Sequence, residues 1–420
     1  MKGDKRADIV HVEAHMREES ENLLAILKSA VRHMPFSLKD SVDRGRLLEL
    51  AQEQNILPVV GEILCRDPEF RKDPLYGQTA RQTVGIVACQ IKRTADFLEL
   101  YRAFDRAGVH PLVMKGIVCR ELYGEFRDHR PSGDEDILIR PEEFKTVRDI
   151  LIRQGYEPER QETSERQLEE VQEITFDNPA NGLCIEVHTN PIGQESVIRR
   201  EMNESFRAVF ENARKMSVDG TEIWTMGHTE HFLFLVLHAL KHMITSSFGV
   251  RQMMDILLYD EAFGDEIRWE WVYEALENVH AERFFCDLIY IGRKYLGSGL
   301  TAKYGPNCPD DLLAEMLDNG IFGSKEQAYQ TAASITSAAV DQKGRGNRFL
   351  TLLRSGFPSL GFMTSRDPEL ADRPWLLPVC WLKRWGRFFR YNRKNGGGLM
   401  GESIAISEQR IRLLKKYKIL

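Results

Sequence analysis

The sequence predicts an α+β fold in which strands and helices alternate between residues 108 and 225, with helical regions at 1–107 and 226–420. Three observations lead there. Apolar residues spaced by three and four dominate the first hundred positions and return after Thr229. Between them lie short runs that are β-branched or alternate apolar with polar, bounded by Gly, Pro, Asn and Asp. At 420 residues the chain also exceeds what one hydrophobic core usually supports, so two or three domains are expected.

Taken in order, the spacing predicts helices over Glu19 to Val31 and Arg46 to Leu64, the second interrupted by Pro58, and a third from about Thr83 to Ala107. Val109 to Met114 reads as a strand that runs into Lys115-Gly116 and a helix start. Pro141 to Gly155 is a helix with Pro141 near its N-terminus, closed by the turn Gly155-Tyr156-Glu157-Pro158. Gln161 to Val171 is acidic and polar, a loop or exposed helix. Ile174 to Phe176 and Leu183 to His188 form a hairpin around Asp177 to Gly182. After Thr229 helices dominate, broken at Gly305 to Pro309. Residues 340–379 read as a long loop or hinge, and Gly396 to Gly398 as flexible.

The stretch from Gly133 to Ile139 carries the chemistry. Asp134 and Asp136 are two apart, so in a strand both project from one face while Ile137 and Ile139 anchor the other. Paired carboxylates repel unless a cation lies between them, and oxygen ligands of this kind suit Mg2+. An Asp-x-Asp pair alone is also what a solvated strand end looks like; the surroundings favour the metal. The strand, glycine turn and helix start at Lys115-Gly116 make an anion site, and Arg127 and Arg130 in the following loop suit a triphosphate. Glu186, centred in the strand from Leu183 to His188, adds a third carboxylate with His188 on its face. Two carboxylates on one strand and a third on a neighbour form the ligand set of a two-metal nucleotidyl-transfer site.

In this order and spacing, Lys115-Gly116, Tyr123, Arg130, Gly133 to Ile139, and Glu186-Val187-His188 resemble the bacterial family of uncharacterised nucleotidyltransferases in the polymerase-β-like superfamily. The segments Leu47 to Val60, His238 to His242 with Arg251 to Ile256, and Arg412 to Leu420 are similar to the family's helical flanks. The resemblance implies a small mixed β-sheet nucleotidyltransferase domain at 108–225, with Asp134, Asp136 and Glu186 as catalytic metal ligands for Mg2+, or Mn2+ in its place. Lys115, Gly116, Arg127, Arg130 and His188 would hold the nucleotide. Lys115-Gly116 stands where the superfamily usually has Gly-Gly or Gly-Ser, so a lysine charge replaces a serine hydroxyl. Glu135 stands where relatives commonly carry an apolar residue.

The expected reaction moves a nucleoside monophosphate from a triphosphate to an unidentified hydroxyl or amine acceptor and releases pyrophosphate. Two other readings remain open: a degenerate, non-catalytic nucleotide-binding protein, and a phosphotransferase that uses the γ-phosphate. His238 and His242, four apart on one helical face, predict with Lys241 either the lining of an acceptor cleft or a helix that only packs the two helical regions together, and Asp255 a neighbour across a helical hairpin. Their spacing also fits a metal, but the Glu of the protease arrangement is absent.

A formal net charge of −6 disfavours a protein that coats nucleic acid. One segment departs from it: Lys383, Arg384, Arg387, Arg390, Arg393 and Lys394 interleave with Trp381, Trp385, Phe388, Phe389 and Tyr391. It reads as an ordinary amphipathic helix with buried aromatics, or as a surface for RNA, an acidic partner or a membrane. Seven scattered cysteines contain no Cys-x-x-Cys pair, so neither a disulfide frame nor a zinc knuckle is expected. No run of about eighteen apolar residues and no signal-peptide core is present, which predicts a cytoplasmic protein without a transmembrane segment.

Overall fold

The computed structural model describes residues 17–39, 41–159, 173–193, 197–246, 248–319, 326–341, 356–364, 367, 369–394 and 399–420. Helices α1 (Glu18–Arg32), α2 (Arg44–Glu53), α3 (Leu57–Arg66) and α4 (Tyr76–Arg106) open the chain. Pro58 falls in the first turn of α3, where its missing N–H is harmless, so the expected interruption is a helix start. The sheet then forms from β1 (Leu112–Val113), β2 (Asp134–Leu138), β3 (Glu157–Pro158), β4 (Glu173–Asp177), β5 (Cys184–His188), β6 (Arg214–Val218) and β7 (Thr221–Thr225). Between these strands lie α5 (Ile117–Glu121), α6 (Phe144–Arg153) and α7 (Val197–Asn203).

The strand order is β3-β4-β5-β2-β1-β7-β6, and the sheet is mixed. β2 runs parallel to β5 and β1 parallel to β7, while the other neighbours are antiparallel. The β4–β5 hairpin is the one the alternation predicts. It closes with Asn178 N–H donating to Leu183 O at 3.0 Å and Gly182 at a positive φ of 67°. Gln161 to Val171 and Gly396 to Gly398 lie outside the described residues.

Alternation along the strands separates two hydrophobic cores. Ile137, Ile139, Ile185 and Val187 pack with Phe97, Tyr101 and Phe104 of α4 and Val147 and Leu151 of α6. Leu112, Met114 and Leu138, from the opposite face, join a larger core built mostly of helices. These include α8 (His228–Thr245), α9 (Val250–Phe263), α10 (Trp269–Asn278), α11 (Glu282–Ile291) and α12 (Pro309–Asn319). Leu23, Leu27, Val60 and Leu64 of the N-terminal helices belong to that same core. The fully buried amide of Gln54 joins the two helical regions, donating to Met316 O at 2.8 Å and accepting from Val250 N–H at 2.9 Å.

The chain continues through α13 (Glu326–Asp341), α14 (Leu360–Thr364), α15 (Glu369–Asp372), α16 (Leu377–Lys394) and α17 (Leu399–Lys416). The expected loop over 340–379 therefore contains short helices in its described part. The basic aromatic segment is helical, but its aromatics are not all buried: Phe389 is 58% exposed, so the ordinary amphipathic reading is only half right. Among the described residues no helix is long and apolar enough to cross a membrane.

Candidate metal and nucleotide site

Parallel pairing of β2 with β5 sets Asp136 directly opposite Glu186 and Leu138 opposite His188. Asp134, Asp136, Glu186 and His188 thus leave the sheet on the face that meets the helical core. One ligand atom each from Asp136, Glu186 and His188 falls within 4.8 Å of the others. Asp134, half-buried on the same face, stands outside that close group. His188 Nε2 lies 3.2 Å from Asp136 Oδ1 and 3.7 Å from Glu186 Oε2.

Lys115 faces the same point, its Nζ 2.8 Å from Asp136 Oδ1. Burial opposes charge on Asp136, Lys115, His188 and Glu186, and mutual attraction outweighs it on the first three. Asp136 is held far below the usual carboxylate range, because the Lys115 and His188 charges and hydrogen bonds outweigh its burial. Lys115 stays above its ordinary value through Asp136, Asp134 and Glu186, which offset desolvation. His188 is lifted to about 9 against its burial, by hydrogen bonds to Asp136 and Glu186. Glu186, raised to about 7 by burial with Asp136 adding to the effect, is the carboxylate that most needs a further cation.

The turn at Lys115-Gly116 differs from the expected anion site. Gly116 has a positive φ of 53°, and a Cβ there would lie 1.9 Å from Glu135 Oε2, so only glycine fits. That same oxygen accepts the Ile117 N–H at 2.8 Å. Helix α5 spans only five residues, so the turn's leading N–H is occupied from within and there is little dipole behind it. Glu135, buried on the smaller-core face, pairs with buried Arg120 at 2.7 Å. Its position between the two aspartates is explained by that pairing and by its hold on the turn.

The two arginines expected at the phosphates are engaged elsewhere. Arg127 pairs with Asp219 at 2.7 Å and Glu121 at 3.2 Å. Arg130 grips Asp255 through Nε at 2.7 Å and Nη2 at 2.6 Å, with Tyr123 Oη donating to the same carboxylate at 2.8 Å. Asp255 is thereby held beside Arg130 and Tyr123.

Arg251, on the turn of α9 before Asp255, carries no such partner. Its Nη1 donates to Pro131 O at 2.5 Å, its Nε is buried without a hydrogen bond, and no carboxylate pairs with it among the described residues. Burial and the neighbouring Arg130 charge depress its pKa, with Asp255 and Asp134 only partly compensating. The local sequence carries one signal for Arg251, the four-residue spacing to Asp255 that places both on one face.

The acceptor-side residues do converge on the site. His238 Nε2 lies 3.2 Å from Lys115 Nζ and 3.2 Å from His242 Nε2, and His242 Nδ1 lies 2.7 Å from Ser246 Oγ. Burial and the Lys115 and Lys241 charges keep both histidines neutral, well below their ordinary pKa. Lys241 is buried on the same helix.

The model of the family described as uncharacterised nucleotidyltransferase matches residues 40–297, which include every residue of this site. No curated protein and no solved structure matches the chain.

Proposed function

We propose, since the chain belongs to the family of uncharacterised nucleotidyltransferases, that it transfers a nucleoside monophosphate from a triphosphate to a hydroxyl or amine acceptor and releases pyrophosphate. The observation that carries the reading is the convergence of Asp136, Glu186 and His188 ligand atoms within 4.8 Å on the face shared with Asp134.

These residues suit a divalent cation. Two carboxylates and an imidazole are a donor set for Mn2+ as readily as Mg2+. Burial and the neighbouring Asp136 charge also lift Glu186 to about 7, and a cation would offset both. Asp136, Glu186 and His188 would hold the ion, with Asp134 on the same face as a further carboxylate ligand. Bound there, a divalent ion polarises the α-phosphoryl group and balances charge on the departing pyrophosphate.

The protein's own groups do the rest. Lys115 neutralises Asp136 in the resting site, and its four-carbon stem lets the ammonium reach a phosphate oxygen. Arg251 supplies the phosphate contact that Arg127 and Arg130 are not free to make, because its guanidinium has a buried Nε without a hydrogen bond and no carboxylate pairs with it among the described residues. The neutral pair His238 and His242 borders Lys115, where an acceptor can approach the α-phosphorus in line. On this reading the chemistry belongs to residues 108–225, and the flanking regions 1–107 and 226–420 wall the two entrances.

A contrast of two variants tests the placement. Arg251→Gln should raise the nucleotide KM about tenfold or more with little effect on acceptor KM, since a charge-assisted phosphate contact contributes roughly 1.5–3 kcal/mol. Lys241→Ala should do the reverse. Equal effects of both variants on one substrate would refute the two-sided site. The reaction class is read from the product formed with labelled triphosphates and a cell extract. Pyrophosphate supports nucleotidyl transfer, and nucleoside diphosphate supports the γ-phosphate reading. One feature favours the non-catalytic alternative, the capture of the Ile117 N–H by Glu135 in place of a phosphate. Metal-dependent nucleotide binding without turnover on any acceptor would establish it.

A further inference from the structure

Helix α16 is two-sided in a way the nucleotide site does not use. Its inner side is fastened to residues 356–358: Trp381 Nε1 donates to Pro358 O and Trp385 Nε1 to Gly356 O, each at 3.1 Å. The Phe357 ring sits 5.3 Å from Trp381 and 6.1 Å from Trp385. At about 100° per residue, Leu382 and Phe389 fall on the adjoining side and Val379 further round, and the exposed Phe389 ring still stacks on Trp385 at 5.5 Å. Trp375, in the single turn before the helix, extends that line. Val379, Leu382, Phe389 and Trp375 are 45%, 73%, 58% and 70% exposed, respectively.

Charge is segregated onto the same helix. Six of the chain's 57 Lys and Arg lie between 383 and 394, and no Asp or Glu occurs from 374 to 401, in a chain whose formal charge is −6. Lys383, Arg387, Arg390 and Arg393 are exposed beside the apolar line. An apolar stripe of Trp, Val, Leu and Phe flanked by cations is the pattern of a helix lying in a lipid–water interface. There the apolar side chains enter the acyl boundary and the cations meet lipid phosphates. Single-stranded RNA fits less well. Bases stack on planar rings, whereas two of the four outward residues are aliphatic and both fastened indoles face inward with their N–H groups engaged.

We propose that α16 is a peripheral docking helix that seats the protein on an anionic lipid bilayer through Trp375, Val379, Leu382 and Phe389. The surface binds in-plane and reversibly, and it acts independently of the reading of the metal site. The test is cosedimentation of the full chain with vesicles of phosphatidylcholine alone and of phosphatidylcholine mixed with phosphatidylserine. Binding should be roughly tenfold stronger or more on the mixed vesicles and should weaken as salt is raised.

Val379→Asp with Leu382→Asp should abolish vesicle binding without shifting the melting temperature, since both side chains are exposed in the wild type. Arg390→Gln with Arg393→Gln should lower affinity for the mixed vesicles only. Wild-type indifference to both vesicle types, or undiminished binding by the Asp variant, overturns the proposal. It is equally overturned if these substitutions abolish binding of a single-stranded RNA oligonucleotide, or dissociate a dimer, while vesicle binding stays unchanged.

Discussion

Asp136→Asn is expected to lower nucleotide transfer about a thousandfold or more, the scale on which charge-stabilising groups act in polar-transition-state reactions. Asp136 contacts both Lys115 and His188, and it faces Glu186 across the β2–β5 pair. Asparagine keeps the shape but loses the charge that gathers these groups. Because Asp136 is buried, the variant also leaves the Lys115 ammonium short of a counter-charge, so a fall in melting temperature accompanies the lost activity. Asp134→Asn separates the two effects. Its side chain is half-buried and outside the close group, so transfer should fall while melting temperature stays near wild type. Labelled-nucleotide transfer and thermal melts of both variants decide the matter. Full activity in Asp136→Asn would remove Asp136 from the mechanism.

The largest stability effect is expected at the Arg120–Glu135 pair. Both side chains are almost wholly inaccessible, at 2% and 1%, and they meet at 2.7 Å. Removing either charge leaves the other buried without its partner, which costs about 3–5 kcal/mol. Glu135→Gln retains an acceptor for the Ile117 N–H, whereas Glu135→Leu loses both acceptor and charge. Denaturant unfolding should therefore rank wild type above Gln and Gln above Leu. Arg120→Met should fall with Gln, because it strands the carboxylate that burial already pushes upward. Since Glu135 also packs on Gly116, the Leu variant should lose nucleotide affinity along with stability. A Leu variant as stable as wild type would show that the pair contributes no net stability.

Much of this site could be read from the chain because strands have a period of two. Asp134, Asp136, Glu186 and His188 sit at positions whose face is set by alternation, and the parallel register then brings them together. The same logic explains the two cores, since Ile137 and Ile139 must oppose the carboxylates. What escaped the sequence are partners far apart along it. Asp255 meets Arg130 across 125 residues, and Arg120 meets Glu135 from a helix of only five residues. No local pattern marks which arginine of several will find a carboxylate and which will be left to meet a substrate. Arg127 and Arg130 lay beside the motif and drew the phosphate role, while Arg251 reaches the site only through helix packing. The interleaved aromatics of α16 were ambiguous for a related reason, because whether a ring is covered depends on what the fold lays over it.

Gln54 bears on how this protein could be divided. Its amide caps the first turn of α9 through Val250 N–H, one residue before Arg251. The N-terminal helices therefore help set the position of the helix that carries Asp255 and Arg251, the residue proposed for the phosphate contact. The sheet carries the carboxylates, yet a fragment beginning at β1 would free that helix end and expose the underside of the larger core. A working fragment must accordingly keep α1 as well as α2, since Leu23 and Leu27 of α1 belong to that same core. Shuffling the β-sheet onto other helical partners would preserve its acidic face and discard its grip on substrate.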